Sequence, residues 1–155
     1  MAKAKKVLDN VVDIDLSSIR KKRFRIDGDD DRILELNTSD MGILGRLQNS
    51  EGKISELTKL AVDNWPDEAD ENAIESAVKV FTDADKSMRE IIDYIFDAPV
   101  SKVCVPSGTM FDPINGEFRY EHIMNIIGKL YEANITDEVT KVSTRIKKHT
   151  AKYTN

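Results

Sequence analysis

The chain has 155 residues, of which 40% are hydrophobic and 33% are charged, and its formal net charge is −5. This length allows one domain with a substantial core, and the composition is that of a globular protein with a charged surface. The single cysteine, Cys104, excludes an internal disulfide and a multi-cysteine zinc site. No apolar run is long enough to span a bilayer, and the basic start lacks the apolar core of a secretory signal, so we expect a cytoplasmic protein.

The charge is distributed unevenly along the chain. Residues 1–25 carry a net charge of +5, residues 26–100 a net charge of −12, and residues 101–155 a net charge of +2. Basic ends therefore flank an acidic middle, which could support contacts between copies or with a charged partner. A solvated surface with a fluctuating basic tail is the simpler interpretation.

The first predicted element is a small β-hairpin at about residues 20–36, which follows a disordered basic segment at residues 1–12. Apolar residues alternate with charged ones on both arms, and Gly28 lies among aspartates that favour a turn. Because a lone hairpin is marginally stable in water, this one has to pack on helices or pair with another strand. The apolar residues of its two arms are Phe24, Ile26, Leu34 and Leu36.

Three helical regions follow the hairpin, at about residues 40–63, 70–97 and 118–152. The central region has apolar residues at steps of three and four from Ile74 to Ile95, which is the stripe of an amphipathic helix. Asp70 is its candidate N-cap. Proline at position 99 ends it, because the residue before a proline is pushed out of the α region.

The other two helical regions leave their continuity open. Thr38 and Ser39 are candidate N-caps of the first helix, but Gly45 and Gly52 weaken it, so a break near residues 49–52 is an alternative. In the last region, residues 134–137 offer new caps, so this region is either one kinked helix or two.

Residues 100–118 contain two prolines and two glycines and predict a loop, with one short helical turn at 100–104. The sequence therefore predicts a mainly α fold, in which a small N-terminal hairpin precedes a bundle of three to five helices. Residues 13–155 are expected to form a single helical domain.

The aspartates near the hairpin turn suggest calcium only superficially. Asp27, Asp29 and Asp31 match the first ligand positions of an EF-hand loop. Arg32 then stands where the loop requires glycine, and Thr38 stands where it requires a bidentate glutamate. The sequence therefore predicts no metal site here.

Cys104 is the residue that first suggests catalysis. Residues 65–67, Trp-Pro-Asp, are similar to the acid loop of tyrosine phosphatases, but six residues after Cys104 the chain has Met110 where that chemistry needs arginine. A cysteine nucleophile also needs a histidine, and neither His122 nor His149 has an evident orienting partner. Glycine-rich phosphate-binding motifs are absent from the sequence. We expect no enzymatic activity and no cofactor, with Cys104 as a small buried apolar contact.

The basic segment Arg20–Arg25 offers an alternative function as a nucleic-acid-binding regulator, together with the basic C-terminus. The segment has one aromatic residue, Phe24, whereas binders of single strands interleave several. The neighbouring Asp27–Asp31 would repel the same phosphates within a Debye length of about 8 Å. A protein-contact role for the strand is therefore favoured over nucleic-acid binding.

Two short motifs flank the proline stop. Residues 92–96, Ile-Asp-Tyr-Ile-Phe, form an IDxIFG-like helix end, and residues 101–104, Ser-Lys-Val-Cys, form an SxKVF-like turn. With the last helix and its basic, tyrosine-bearing end at 145–153, this region resembles the tail assembly chaperones of long-tailed bacteriophages of Gram-positive hosts. The chain departs from that pattern at Asp97, where the family usually has glycine, and in its longer loop at 105–117.

The resemblance implies a non-enzymatic chaperone in the host cytoplasm that binds the tape-measure protein and delivers it to tail-tube subunits. Such proteins often self-associate, so a homo-oligomer is expected as well. A structural phage tail or neck protein is a further alternative.

Adaptable methionines would suit an apolar working surface, although core filling is their commoner use. The methionines considered are Met41, Met88, Met110 and Met124. The predicted protein-binding residues are Phe24, Ile26, Leu34, Leu36, Ile92, Ile95 and Phe96.

Overall fold

The computed structural model describes residues 9–16, 21–67 and 70–151. Within these ranges the elements in chain order are β1 (Lys22–Ile26), β2 (Asp29–Leu36), α1 (Ile43–Asp63), α2 (Glu71–Phe96), α3 (Val100–Cys104), β3 (Pro113–Ile114), β4 (Glu117–Phe118) and α4 (Arg119–Ala151). The predicted fold class, mainly α with an N-terminal hairpin, is confirmed. The bounds of the three long helices differ from the predicted ones by three residues at most.

The predicted N-terminal segment is described only from residue 9, and the predicted start of the hairpin, residue 20, lies outside the described residues. Residues 9–16 are exposed and form neither helix nor strand. The hairpin itself pairs Phe24 with Leu34 in an antiparallel register. Asp27 and Gly28 form its turn with φ of 52° and 71°, the left-handed conformation that two-residue hairpin turns require.

The start of α1 differs from the prediction. The helix begins at Ile43, and the side chain of Asp40, rather than Thr38 or Ser39, accepts a hydrogen bond from the Gly42 N–H at 2.9 Å. Asp40 also accepts from the Arg46 guanidinium at 2.7 Å, and that hydrogen bond lowers the pKa of the Asp40 carboxyl. The helix then continues to Asp63 without the break considered near residues 49–52.

α2 is antiparallel to α1 and supplies more of the buried core than any other element. Asp70 caps it as predicted, because its side chain accepts from the Asn72 N–H at 3.2 Å. The helix ends at Asp97, which has φ of 48° in the left-handed region. Its buried stripe consists of Ala77, Phe81, Ala84, Met88, Ile92, Ile95 and Phe96.

The junction between α2 and α3 is held by side chains that bond to backbone groups. Asp93 accepts from the Ser101 N–H at 2.7 Å and from the Ser101 hydroxyl at 2.8 Å, so an α2 side chain caps the first turn of α3. Arg46 of α1 donates to the Ile95 carbonyl at 2.8 Å. The Tyr131 hydroxyl of α4 donates to the Phe96 carbonyl at 3.3 Å. Three long helices thus meet where α2 ends.

Further arginines donate hydrogen bonds to backbone carbonyls that follow the end of α2. Arg89 donates to the carbonyls of Ser101, Val105 and Gly108 at 3.3, 3.0 and 3.1 Å, and its Nε lies 2.7 Å from Asp85. Arg32 of β2 donates to the Val103 and Cys104 carbonyls at 2.9 and 3.1 Å. We call the backbone from residue 93 to residue 108, with the arginines that bond to it, the arginine junction.

The loop predicted over residues 100–118 contains more regular structure than expected. Besides the predicted helical turn, now α3, residues 113–118 form a second small hairpin in which Ile114 pairs with Glu117. Its turn is Asn115-Gly116, with φ of 50° and 82°. Asn-Gly is a strong signal for a two-residue hairpin turn, so the loop assignment at these residues was wrong.

An aromatic cluster fastens this second hairpin to the core. Phe118 lies with its ring centroid 5.7 Å from those of both Trp65 and Phe111, and Phe111 is 6.0 Å from Phe81. Trp65 stacks on Phe81 at 5.5 Å, just after α1 has ended. The segment after α3 is therefore anchored by rings from α2, from the α1–α2 connection and from β4.

α4 is one helix of 33 residues, so the division into two helices considered at residues 134–137 does not occur. Asn134 does not cap a new helix, because its side chain donates to the Ser39 hydroxyl at 2.8 Å and accepts from Lys22 at 3.0 Å. The first half of α4 packs on the core, whereas residues 136–149 are all exposed. None of the helices in the described ranges is long and apolar enough to cross a membrane.

We expect Arg89→Met to lower the free energy of unfolding by about 2–4 kcal/mol. The substitution leaves the Val105 and Gly108 carbonyls without the Arg89 donor and Asp85 without its cation, whereas the Ser101 carbonyl keeps the Val105 N–H as a donor. Chemical denaturation measures this change. Arg23→Met is the matched control, since its ion pair with Glu35 is exposed and its loss should cost less than about 0.5 kcal/mol. Equal effects of the two substitutions would contradict a structural role for the arginine junction.

Thr38→Val should leave the protein equally stable or more stable, by up to about 1 kcal/mol. Among the residues that the structure describes, the Thr38 hydroxyl oxygen is buried without a hydrogen-bond partner, which is unfavourable. Thr58→Val is the comparison, because the Thr58 hydroxyl bonds to the Ile54 carbonyl and to the Tyr120 hydroxyl. Thermal unfolding of both variants tests the difference, and a greater loss for Thr38→Val than for Thr58→Val would contradict it.

Candidate protein-binding surface

The structure places the predicted protein-binding residues mainly in the chain's own core. Five of the seven, on β2 and at the end of α2, have at most 3% of their surface exposed. The other two, on β1, are half-buried and pack against this core. In this conformation the set offers a partner little accessible surface, and its role in binding stays a prediction. The five buried residues are Leu34, Leu36, Ile92, Ile95 and Phe96, and the two half-buried ones are Phe24 and Ile26.

The structure brings Cys104 and His122 to the same cleft, of about 410 Å³, at the side of α4. Burial raises the pKa of the Cys104 thiol to about 11. The described part of the chain shows no hydrogen bond between the two side chains. A raised pKa leaves less of the Cys104 thiol as the reactive thiolate at neutral pH.

The aspartates around the first hairpin turn bond to their own hairpin. Asp27 pairs with Arg32 at 3.2 Å and Asp30 with Arg25 at 2.8 Å. Asp29 accepts from the Asp31 N–H at 2.9 Å. In the described ranges there is also no group of three or more His, Cys, Asp or Glu side chains that could hold a metal ion.

The basic segment at the start of the hairpin is partly neutralised within the chain. Arg23 lies 3.5 Å from Glu35, Arg25 pairs with Asp30, and Lys22 donates to Asn134. Each of these contacts lies at the surface and is weak. The two ion pairs nevertheless reduce the charge that the strand presents to phosphates, so the geometry gives nucleic-acid binding no additional support.

An open apolar groove lies between the start of α1 and the middle of α4. Its volume is about 350 Å³. Gly128 lies in its wall, and a Cβ atom added there would meet no atom within 4 Å. The groove wall therefore has open space at the position where α4 lacks a side chain. We call it the α1–α4 groove. Its lining consists of Ile43, Leu44, Leu47, Ile95, Phe96, Met124, Gly128, Tyr131, Glu132, Ile135 and Thr136.

A smaller apolar cleft of about 180 Å³ continues from this groove towards the C-terminal end of α4. Both are lined by Ile135, and the smaller one also by Met41, Val139 and Val142. Met41 is 56% exposed. Apolar surface therefore runs from the α1–α4 groove onto the exposed half of α4, which is typical of a site for another protein chain.

Two of the four methionines considered lie on this surface, as sequence reasoning allowed. Met41 lines the smaller cleft and Met124 the larger one. Met88 and Met110 are fully buried and fill the core. The groove as a whole was not predicted, although its signal was present: Gly128 interrupts the apolar stripe of α4 between Met124 and Tyr131.

The geometry thus defines a mainly α protein with an apolar groove between two helices and a raised thiol pKa in a separate cleft. No family model, curated protein or solved structure matches the chain. The surface is therefore interpreted from its own residues.

We expect Cys104 in the folded chain to react with iodoacetamide about a hundredfold more slowly at pH 8 than an ordinary thiol, because its raised pKa removes most of the thiolate. Mass spectrometry of samples quenched at intervals measures the rate. The same chain unfolded in guanidinium is the control and should react at the ordinary rate. Equal rates in the two states would contradict the burial of the thiol.

Proposed function

We propose that the chain is a non-enzymatic binding protein that holds a helical segment of a partner protein in the α1–α4 groove. The observation that carries this proposal is the open apolar lining between two helices, with Gly128 in its wall. Amphipathic helices bind in grooves of this kind by laying down apolar residues at steps of three and four. The partner is therefore expected to be helical and apolar along one face.

The groove has the length of a short helical segment. Along α4 its lining extends from Met124 to Thr136, and at 1.5 Å per residue these positions are about 18 Å apart. About three turns of a partner helix would fit, enough for three or four apolar anchors. Glu132 and Thr136 supply a polar rim, which would orient polar residues of the partner away from the groove.

Within this class we propose a tail assembly chaperone that acts in the host cytoplasm on the tape-measure protein and tail-tube subunits. The resemblance at residues 92–96 and 101–104 supports this, because a long helical tape-measure protein would offer many segments that fit the groove. Asp97, which stands where the family usually has glycine, is compatible with this proposal as well. Asp97 has φ of 48°, and this left-handed conformation is the one that glycine favours at the end of a helix.

The experiment is to co-express a tape-measure protein with the chain or with its Gly128→Leu variant and to measure how much tape-measure protein stays soluble and co-purifies. The Cβ of a leucine at this position has open space around it, its side chain would occupy part of the groove, and it replaces a helix-weakening glycine. We expect the wild-type chain to keep the partner soluble and the variant to lose at least about 90% of the co-purified partner, corresponding to roughly tenfold weaker binding.

Gly52→Leu is the matched control, because Gly52 is also a helical glycine at which an added Cβ has open space, but it is exposed and lies outside the groove. This variant should behave as the wild-type chain does. If both variants retain the tape-measure protein as the wild-type chain does, this contradicts the groove as its binding site. A tape-measure protein that aggregates equally with and without the wild-type chain would contradict the chaperone function. Recovery of the chain from purified particles would instead favour a structural tail or neck protein.

A further inference from the structure

The exposed half of α4 has an apolar stripe whose spacing is symmetrical. Ile135, Val139, Val142 and Ile146 are separated by four, three and four residues, which is the a/d spacing of a two-stranded coiled coil. The same order of steps is obtained when the stripe is read in either direction. Two copies of this segment, side by side and antiparallel, would therefore match each apolar residue with an apolar residue, over about 16 Å of helix.

Three of the four stripe residues are exposed, whereas Ile135 is half-buried against the core. Val139 is 45% exposed and Val142 is 51% exposed. Both line the smaller cleft beside Met41, which belongs to the connection before α1. A second helix on this stripe would cover the two valines and would touch the Met41 side chain.

Charged residues beside the stripe select one orientation. Glu138 and Arg145 each stand one position before a stripe residue, so both flank the same edge of it. In an antiparallel pair these flanking positions face each other, and Glu138 of each copy would meet Arg145 of the other. In a parallel pair Glu138 would instead face Ser143, which carries no charge. Opposite charges at such flanking positions determine the partner and its orientation.

We propose that two copies of the chain associate through residues 135–146 of α4, antiparallel about a two-fold axis. Val139 of each copy packs on Val142 of the other, and two equivalent Glu138–Arg145 ion pairs border the contact. Such an interface is self-complementary, so it closes with two subunits and does not extend into a filament. It is a short contact, so the dimer forms only as the protein concentration rises.

The experiment measures molar mass by sedimentation against protein concentration for the wild-type chain and for two charge variants, Glu138→Arg and Arg145→Glu. The wild-type chain should change from monomer to dimer. Each variant alone places like charges opposite each other at both ion pairs, so its dissociation constant should rise at least about tenfold. An equimolar mixture of the two variants restores both opposite-charge pairs, so the mixture should form a heterodimer as readily as the wild-type chain dimerises.

Matched controls make the same changes of charge on the outer face of the helix. Asp137→Arg and Lys147→Glu should dimerise as the wild-type chain does, because neither position borders the stripe. Circular dichroism of each variant checks that α4 remains helical. A wild-type chain that stays monomeric, charge variants that dimerise normally, or a mixture that stays monomeric would each overturn the proposal. The test does not depend on partner binding, because none of these substitutions changes a residue that lines the α1–α4 groove.

Discussion

The fold depends on satisfying the backbone carbonyls where α2 ends and α3 follows. A helix leaves its last carbonyls without partners, and here two helix ends lie a few residues apart inside the protein. Guanidinium groups donate hydrogen bonds to carbonyls in this region. They belong to Arg32 of β2, Arg46 of α1 and Arg89 of α2. Each arginine comes from a different element, so filling the carbonyls also fixes how the hairpin, α1 and α2 sit around the junction. Arginine suits this role because one planar group can donate in several directions.

The apolar groove lies beside this junction. Arg46 bonds α1 to the Ile95 carbonyl, and Tyr131 bonds α4 to the Phe96 carbonyl. α1 and α4 therefore meet at the same end of α2, and the groove lies between the start of α1 and the middle of α4. Gly128 lies in its wall, where the absence of a side chain leaves open space.

Sequence reasoning located the elements better than the surfaces. The apolar stripe of α2, the Asp70 cap and the stop before Pro99 depend on local chemistry, and each was found where it was expected. The Asn115-Gly116 turn also depends on local chemistry, but the prolines around it led to the prediction of a loop. Whether a residue of this stripe is buried depends on neighbours that are distant in sequence. Val78 is exposed whereas Phe81 is buried, because only Phe81 contacts the aromatic cluster. Periodicity gives the direction in which a side chain points, but not whether another element covers it.

α4 is a core element for its first half and a surface element for its second, within one unbroken helix. Its backbone amides should therefore exchange with solvent at graded rates. Those near Ile127 exchange only when the whole domain unfolds, whereas those beyond Thr136 exchange whenever the exposed end frays. A ligand that covers the exposed half would extend the slow region along the helix, turn by turn. Hydrogen exchange of the α4 amides therefore reports whether a ligand covers the exposed half of the helix.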